Sequence, residues 1–103
     1  MNDNEQKGRK TFGAVSVAAT ATKILSGNAK RITLTLRNVG SADVYLGKDA
    51  TVTTANGLLL KPTETLTDDN STDAWWGIVA STASDIRLME QKMRTNLRAR
   101  AHS

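Results

Sequence analysis

A nucleophilic or general-base site needs a side chain that titrates near neutrality, and the one histidine of this 103-residue chain is His102, next to the last residue. A His-centred triad on a terminus expected to be loose is ruled out. Ser and Thr are abundant, but they fall in alternating stretches and turns, where they serve as strand formers and hydrogen-bonding caps. The acidic cluster Asp68, Asp69 and Asp73 could in principle supply a carboxylate pair for glycoside hydrolysis. Those residues share one polar run, Asp68 to Asp73, which reads as a solvated surface loop, and the run lacks the turn Gly and distal Glu of a calcium loop. The sequon Asn70-Ser71-Thr72 has meaning only in a secreted chain.

Phosphate chemistry fares no better. Gly8, Gly13, Gly27, Gly40, Gly47, Gly57 and Gly77 stand singly, with no Walker or dinucleotide pattern. With no Cys there is neither a disulfide framework nor a thiolate metal site. No catalytic residue, cofactor-binding residue or metal ligand is expected, so the chain is expected to act by binding.

Its charge is +4, and its location decides what that means. Residues 11–91 hold seven basic side chains against eight acidic ones, whereas residues 92–103 hold Lys92, Arg94, Arg98 and Arg100 and no acid. The excess sits in a basic tail. Such a tail could neutralise phosphates, but aromatic residues interleaved with the bases are missing, so nucleic acid is not the expected partner and acidic protein surface is. No run approaches ~18 apolar residues, so no membrane is expected, and the polar start Met1 to Glu5 is unlike a signal peptide.

Whatever the chain binds must be presented by β-strands. From Thr11 to Gln91 the apolar residues recur at period two in short β-branched segments separated by turn residues. Strands are expected at Ala14–Ala18, Thr22–Leu25, Arg31–Asn38, Val44–Gly47, Leu58–Leu60, Glu64–Leu66, Trp75–Val79 and Asp85–Gln91, giving an all-β, antiparallel sandwich or small barrel of seven or eight strands. Arg31–Asn38, with Ile32, Leu34 and Leu36 alternating with Thr33, Thr35 and Arg37, reads as a central strand, and Val39–Asp43 as a hairpin turn into Val44–Gly47. Ser26-Gly27-Asn28 and Asn56-Gly57 offer places for positive φ, and Lys61-Pro62 closes a strand.

The expected core is Val15, Val17, Leu25, Ile32, Leu34, Leu36, Val44, Leu46, Leu66, Ile78, Ile86 and Leu88 with one indole. Adjacent residues of a strand face opposite ways, so Trp75 and Trp76 cannot both point inward. Trp76 is placed inward with Ile78, which leaves Trp75 outside as an interface anchor beside Tyr45. Residues 1–10 read as a flexible arm, residues 11–91 as the folded domain and residues 92–103 as the tail. Met89, Met93 and Leu97 would suit a helical stripe, and the tail would suit an extended arm equally.

The order of segments Ala21–Leu25, Arg31–Asn38, Val44–Gly47, Glu64–Leu66, Trp75–Ile78 and Asp85–Glu90 resembles small β-sandwich modules of tailed-phage virions. The resemblance covers about residues 14–91 and rests on pattern. It implies a capsid decoration or cement protein that self-associates, as a homotrimer, and binds the major capsid protein on the virion surface after synthesis in the host cytoplasm. Alternatives are a tail, neck, baseplate or head-fibre component and a carbohydrate-binding host-recognition module. The candidate interface residues are Trp75, Tyr45, Lys92, Arg94, Arg98 and Arg100.

Overall fold

The computed structural model describes residues 10–69 and 72–92. Eight strands follow in order: β1 (Lys10–Val17), β2 (Thr22–Leu25), β3 (Arg31–Asn38), β4 (Val44–Gly47), β5 (Leu58–Leu60), β6 (Thr65–Asp69), β7 (Trp75–Ile78) and β8 (Ser84–Lys92). They form two four-stranded sheets, the first ordered β1-β8-β3-β6 and the second β2-β7-β4-β5. Every pairing is antiparallel. Strand β1 pairs with β8, β2 with β7, β3 with β6 and β4 with β5. The chain is thus one long hairpin folded back on itself at the β4–β5 connection and rolled into two layers, an eight-stranded jelly roll.

All eight expected strands are present, and Arg31–Asn38 is interior to its sheet. Three expectations are corrected. The segment Val39–Asp43 is no hairpin turn: both edges of β3 are taken by β6 and β8, so the chain crosses to the second sheet before β4. Asp68 and Asp69 belong to β6, because their backbone pairs with Leu34 and Thr33. Strand β1 starts at Lys10, inside the expected arm, because the opposite strand extends to Gln91 and Lys92 and gives it a partner.

Between the sheets lie Val17, Ile24, Leu34, Leu36, Val44, Leu46, Leu60, Trp75, Val79 and Ile86. The second sheet is in the opposite phase to the one expected around β7, with Trp75 and Val79 inward in place of Trp76 and Ile78. Gly77 lies between them on the inner side, where a Cβ would come 3.1 Å from Ile24 Cδ1 and 3.2 Å from Val44 Cγ1. The missing side chain is what lets those aliphatic groups pack there. In β2, Ile24 keeps the inner phase set by Thr22, and the register irregularity after Lys23 places Leu25, half-buried, opposite Trp75. A second irregularity, between Arg31 and Thr33, shifts the phase of β3, burying Arg31 and leaving Ile32 half-buried. This is the phase change that one extra residue imposes on a period-two strand.

Polar groups fix the ends of the roll. Asn38, fully buried, donates from Nδ2 to the carbonyls of Ala42 (2.8 Å) and Leu60 (2.9 Å). Its Oδ1 accepts from the Gly40 amide (3.0 Å) and the Ser84 hydroxyl (2.8 Å). All four of its hydrogen-bonding positions are filled, as a buried amide requires. The positive φ expected at Gly27 or Gly57 falls instead on Thr63, at 71°, in the turn after Pro62. Gly57 answers a different need: a Cβ there would lie 2.6 Å from Tyr45 Cβ.

Candidate interaction surface

The alternation that buries Trp75 and Val44 sends Lys23, Trp76, Ile78, Tyr45 and Leu59 to the outer face of the second sheet. Their registers set them side by side. Tyr45 lies between Ile78 on β7 and Leu59 on β5, while Trp76 lies between Lys23 on β2 and Gly47 on β4. Trp76, Ile78 and Tyr45 are half-buried and Leu59 is exposed. The Lys23 ammonium sits 5.9 Å from the centroid of the Trp76 ring, within reach of a cation–π attraction.

The connection between β4 and β5 folds over part of this face. Val52 is buried yet stands outside the core between the sheets, and a Cβ on Gly47 would lie 2.7 Å from the Val52 Cβ. Val52 therefore rests on Gly47 on the outer side. The loop is held by its own side chains: the Thr51 amide donates to Asp49 Oδ1 (2.9 Å) and the Thr51 hydroxyl donates to the same oxygen. The Thr53 amide donates to Asn56 Oδ1 at 2.8 Å. These bonds to Thr51 hold the Asp49 carboxyl below the usual carboxylate range. The result is a small aromatic and aliphatic surface with a fixed loop on one side and a lysine on the other.

Of the sequence-expected interface residues, Tyr45 is on this face. Trp75 is not: it is 8% exposed and packs between the sheets, so the outward indole is Trp76. Parity alone left that choice open, since Trp75 shares its face with Val79 as plausibly as Trp76 does with Ile78. The single residue that breaks the tie is Gly77, whose lack of a side chain suits the crowded inner side. Lys92 lies at the end of β8 with Nζ 3.5 Å from Glu90 Oε1. Arg94, Arg98 and Arg100 lie outside the described residues. The acidic run is dispersed, with Asp68 and Asp69 on β6 and Asp73 paired to Lys48 at 2.9 Å. That hydrogen bond raises the Lys48 ammonium above its ordinary range.

The interior does not fit a metal ion. Leu34, Leu36, Val44, Leu46, Ile86 and Trp75 occupy the space between the sheets, and none supplies an oxygen, sulfur or imidazole ligand. Among the described residues no three His, Cys, Asp or Glu side chains gather where they could hold one. Among the same residues no helix is long and apolar enough to cross a membrane.

No protein-family model and no curated protein matches the chain. Solved structures share its fold. A cupin protein of Desulfovibrio desulfuricans is similar at 12% identity over 87% of this chain and 76% of that one, with a TM-score of 0.57. A Thermus thermophilus protein is similar at 13% identity over 86% and 77% of the two chains, with a TM-score of 0.53. The subunit of Bacillus endospore appendages, described as disulfide-linked pili, is similar at 16% identity over 92% and 96%, with a TM-score of 0.51. At these identities the likeness is one of fold, the double-stranded β-helix or jelly roll.

Proposed function

We propose that this protein is a non-catalytic structural protein of a tailed-phage particle, a decoration or cement protein that self-associates and binds the head shell. The observation that carries this reading is the outer face of the second sheet, where Trp76, Tyr45, Ile78 and Leu59 present a contiguous apolar surface while the interior is filled by aliphatic packing. An aromatic cluster rimmed by polar groups is the composition of a protein-binding core. We assign this face to a second copy of the chain, because it is nearly free of charge and so has nothing to select a charged partner. The resemblance of residues 14–91 to phage virion modules supplies the setting, and the basic residues from Lys92 onward would favour acidic coat-protein surface.

The test adds the purified chain to heads of the encoding phage that lack it, and follows attachment by gradient sedimentation and electron cryomicroscopy. Density at many quasi-equivalent sites on the shell is the expected result. A single ring at the neck or tail would replace decoration by an adaptor role, and no attachment to any part of the particle would overturn the reading.

One observation favours a second reading. Trp76 and Tyr45 share an open sheet face, and an aromatic platform of that kind also suits a sugar ring. Retention on a glycan array that is lost in Trp76→Ala would support a carbohydrate-binding module.

A further inference from the structure

The outer face of the first sheet carries a charge arrangement that the self-association surface does not use. Arg37 on β3 is the direct cross-strand partner of Arg87 on β8. Both are exposed. Directly opposed residues have Cβ atoms ~4.5–5.5 Å apart, and like charges so placed destabilise a sheet. Arg37 donates from Nη1 to the Thr65 hydroxyl at 3.0 Å. Among the described residues neither arginine has an acidic partner within ion-pair distance. The acids on the same face are Asp85, two residues before Arg87 on β8, and Asp69 at the far end of β6. Neither neutralises the pair.

Beside the pair stands the most exposed large apolar residue of the described chain, Phe12, 76% exposed. Ala14 is the register partner of Arg87 on β1, and Phe12 is two residues further along the same face, opposite Met89. A shallow depression lined by Phe12, Gly13, Ala14, Arg87 and Leu88 lies at this point. Ala14, small and on the same face as Phe12 and Arg87, leaves the ring and the guanidinium accessible from one side. The diagonal from Phe12 to Arg87 is ~7–8 Å, close to the ~6.6–6.8 Å that separates residues i and i+2 of an extended chain.

We infer that this face docks an extended acidic segment of a partner protein, with one carboxylate bridging Arg37 and Arg87 and an apolar side chain two residues away resting on Phe12. A carboxylate relieves the repulsion between the two guanidiniums and accepts hydrogen bonds from both. Charge complementarity selects protein over nucleic acid here. A polyanion needs a continuous track of cations, whereas this face offers the pair and, at the far end of β1, Lys10, with the acids Asp85 and Asp69 on the same face. The inference rests on the binding role proposed above and names the chemistry of the partner that a cement protein would meet on the shell.

The test uses the full chain and a fluorescent synthetic peptide of alternating Glu-Ser-Leu-Ser repeats, followed by polarisation at low salt. Saturable binding is expected, weakened at least ~10-fold in R37Q and in R87Q, each of which loses a charge-assisted contact, and weakened also in F12S, which loses the apolar one. K61Q, which removes a positive charge outside this face, should bind like the wild type. Because R37Q and R87Q remove a like-charge contact, each should hold or raise the melting temperature, so that lost binding is not lost folding. R87K, which keeps the charge and loses the planar fork, should fall between. Equal binding by R37Q, R87Q and the wild type would overturn the site, as would tighter binding of an oligonucleotide of the same charge. If the wild type and the double variant R37Q/R87Q attach equally to phage heads, the site fails while the particle role stands. If the peptide binds at this face and no particle attaches, the particle role fails alone.

Discussion

Arg31 on β3 and Glu90 on β8 form an ion pair of 2.9 Å, with the arginine side chain 0% and the glutamate side chain 14% exposed. The irregularity at Ile32 is what turns Arg31 inward, and its guanidinium also donates to the carbonyls of Asp73 (2.8 Å) and Ser26 (2.5 Å). One side chain therefore joins the end of the first sheet to the β2–β3 and β6–β7 connections. Glu90→Leu takes this carboxylate from the buried Arg31 guanidinium and should cost ~3–5 kcal/mol; Arg31→Met leaves Glu90 with Lys92 at 3.5 Å but also loses the bonds to Asp73 and Ser26, and should cost a similar amount. The double variant should cost less than the sum of the two. Additive losses in a denaturant double-mutant cycle would contradict the coupling.

Leu34 is 1% exposed and faces the core, whereas its neighbour Thr35 faces the outer side. Leu34→Ala should lose ~2–5 kcal/mol through lost burial and a cavity. Thr35→Ala should lose less than ~1 kcal/mol. Equal losses in chemical denaturation would show that the faces of β3 are misassigned.

Thr63 holds a φ of 71° in the turn Lys61–Glu64, where the Glu64 amide donates to the Lys61 carbonyl at 2.9 Å. Proline followed by a residue of positive φ is the type II arrangement, which favours Gly or Asn at that second place, and a β-branched residue there is strained. Thr63→Gly or Thr63→Asn should therefore raise stability by ~1 kcal/mol. A drop in the melting temperature of both variants would contradict the strain.

Asp49 titrates below the usual carboxylate range because the Thr51 hydroxyl and then the Thr51 amide donate to it. A carboxyl whose folded pKa is depressed adds stability above its unfolded pKa and loses it as the pH falls through the folded value. The loop contribution should fade only in acid, below the ordinary range. In Thr51→Val the carboxyl should titrate at a higher pH, as followed by its NMR chemical shift, and an unmoved midpoint would contradict the assigned cause.

Strand positions were legible because alternation and turn residues are local, and β2 to β5 fall at the expected residues. Pairing was less so. The segment from Val39 to Asp43 has the composition of a hairpin turn, and only the competition of β6 and β8 for the edges of β3 sends it across to the other sheet. Face assignment failed where one residue decides it: in β2 the inner phase of Thr22 falls on Ile24, with Leu25 only half-buried, the β3 irregularity exchanged Ile32 for Arg31, and the adjacent indoles had equal claims on the core. Val52 was missed because it is buried outside the space between the sheets, within a loop whose fold depends on bonds accepted by the Asp49 and Asn56 side chains. The Arg37–Arg87 juxtaposition joins residues fifty positions apart and follows from register alone.

If the outer face of the second sheet joins copies of the chain, sedimentation velocity of the wild type beside Trp76→Ala will show it. The expected result is a wild-type trimer and a variant that is folded by circular dichroism but sediments as the 11.1 kDa monomer. A wild type that remains monomeric at high concentration, or a Trp76→Ala variant that stays fully trimeric, would contradict it.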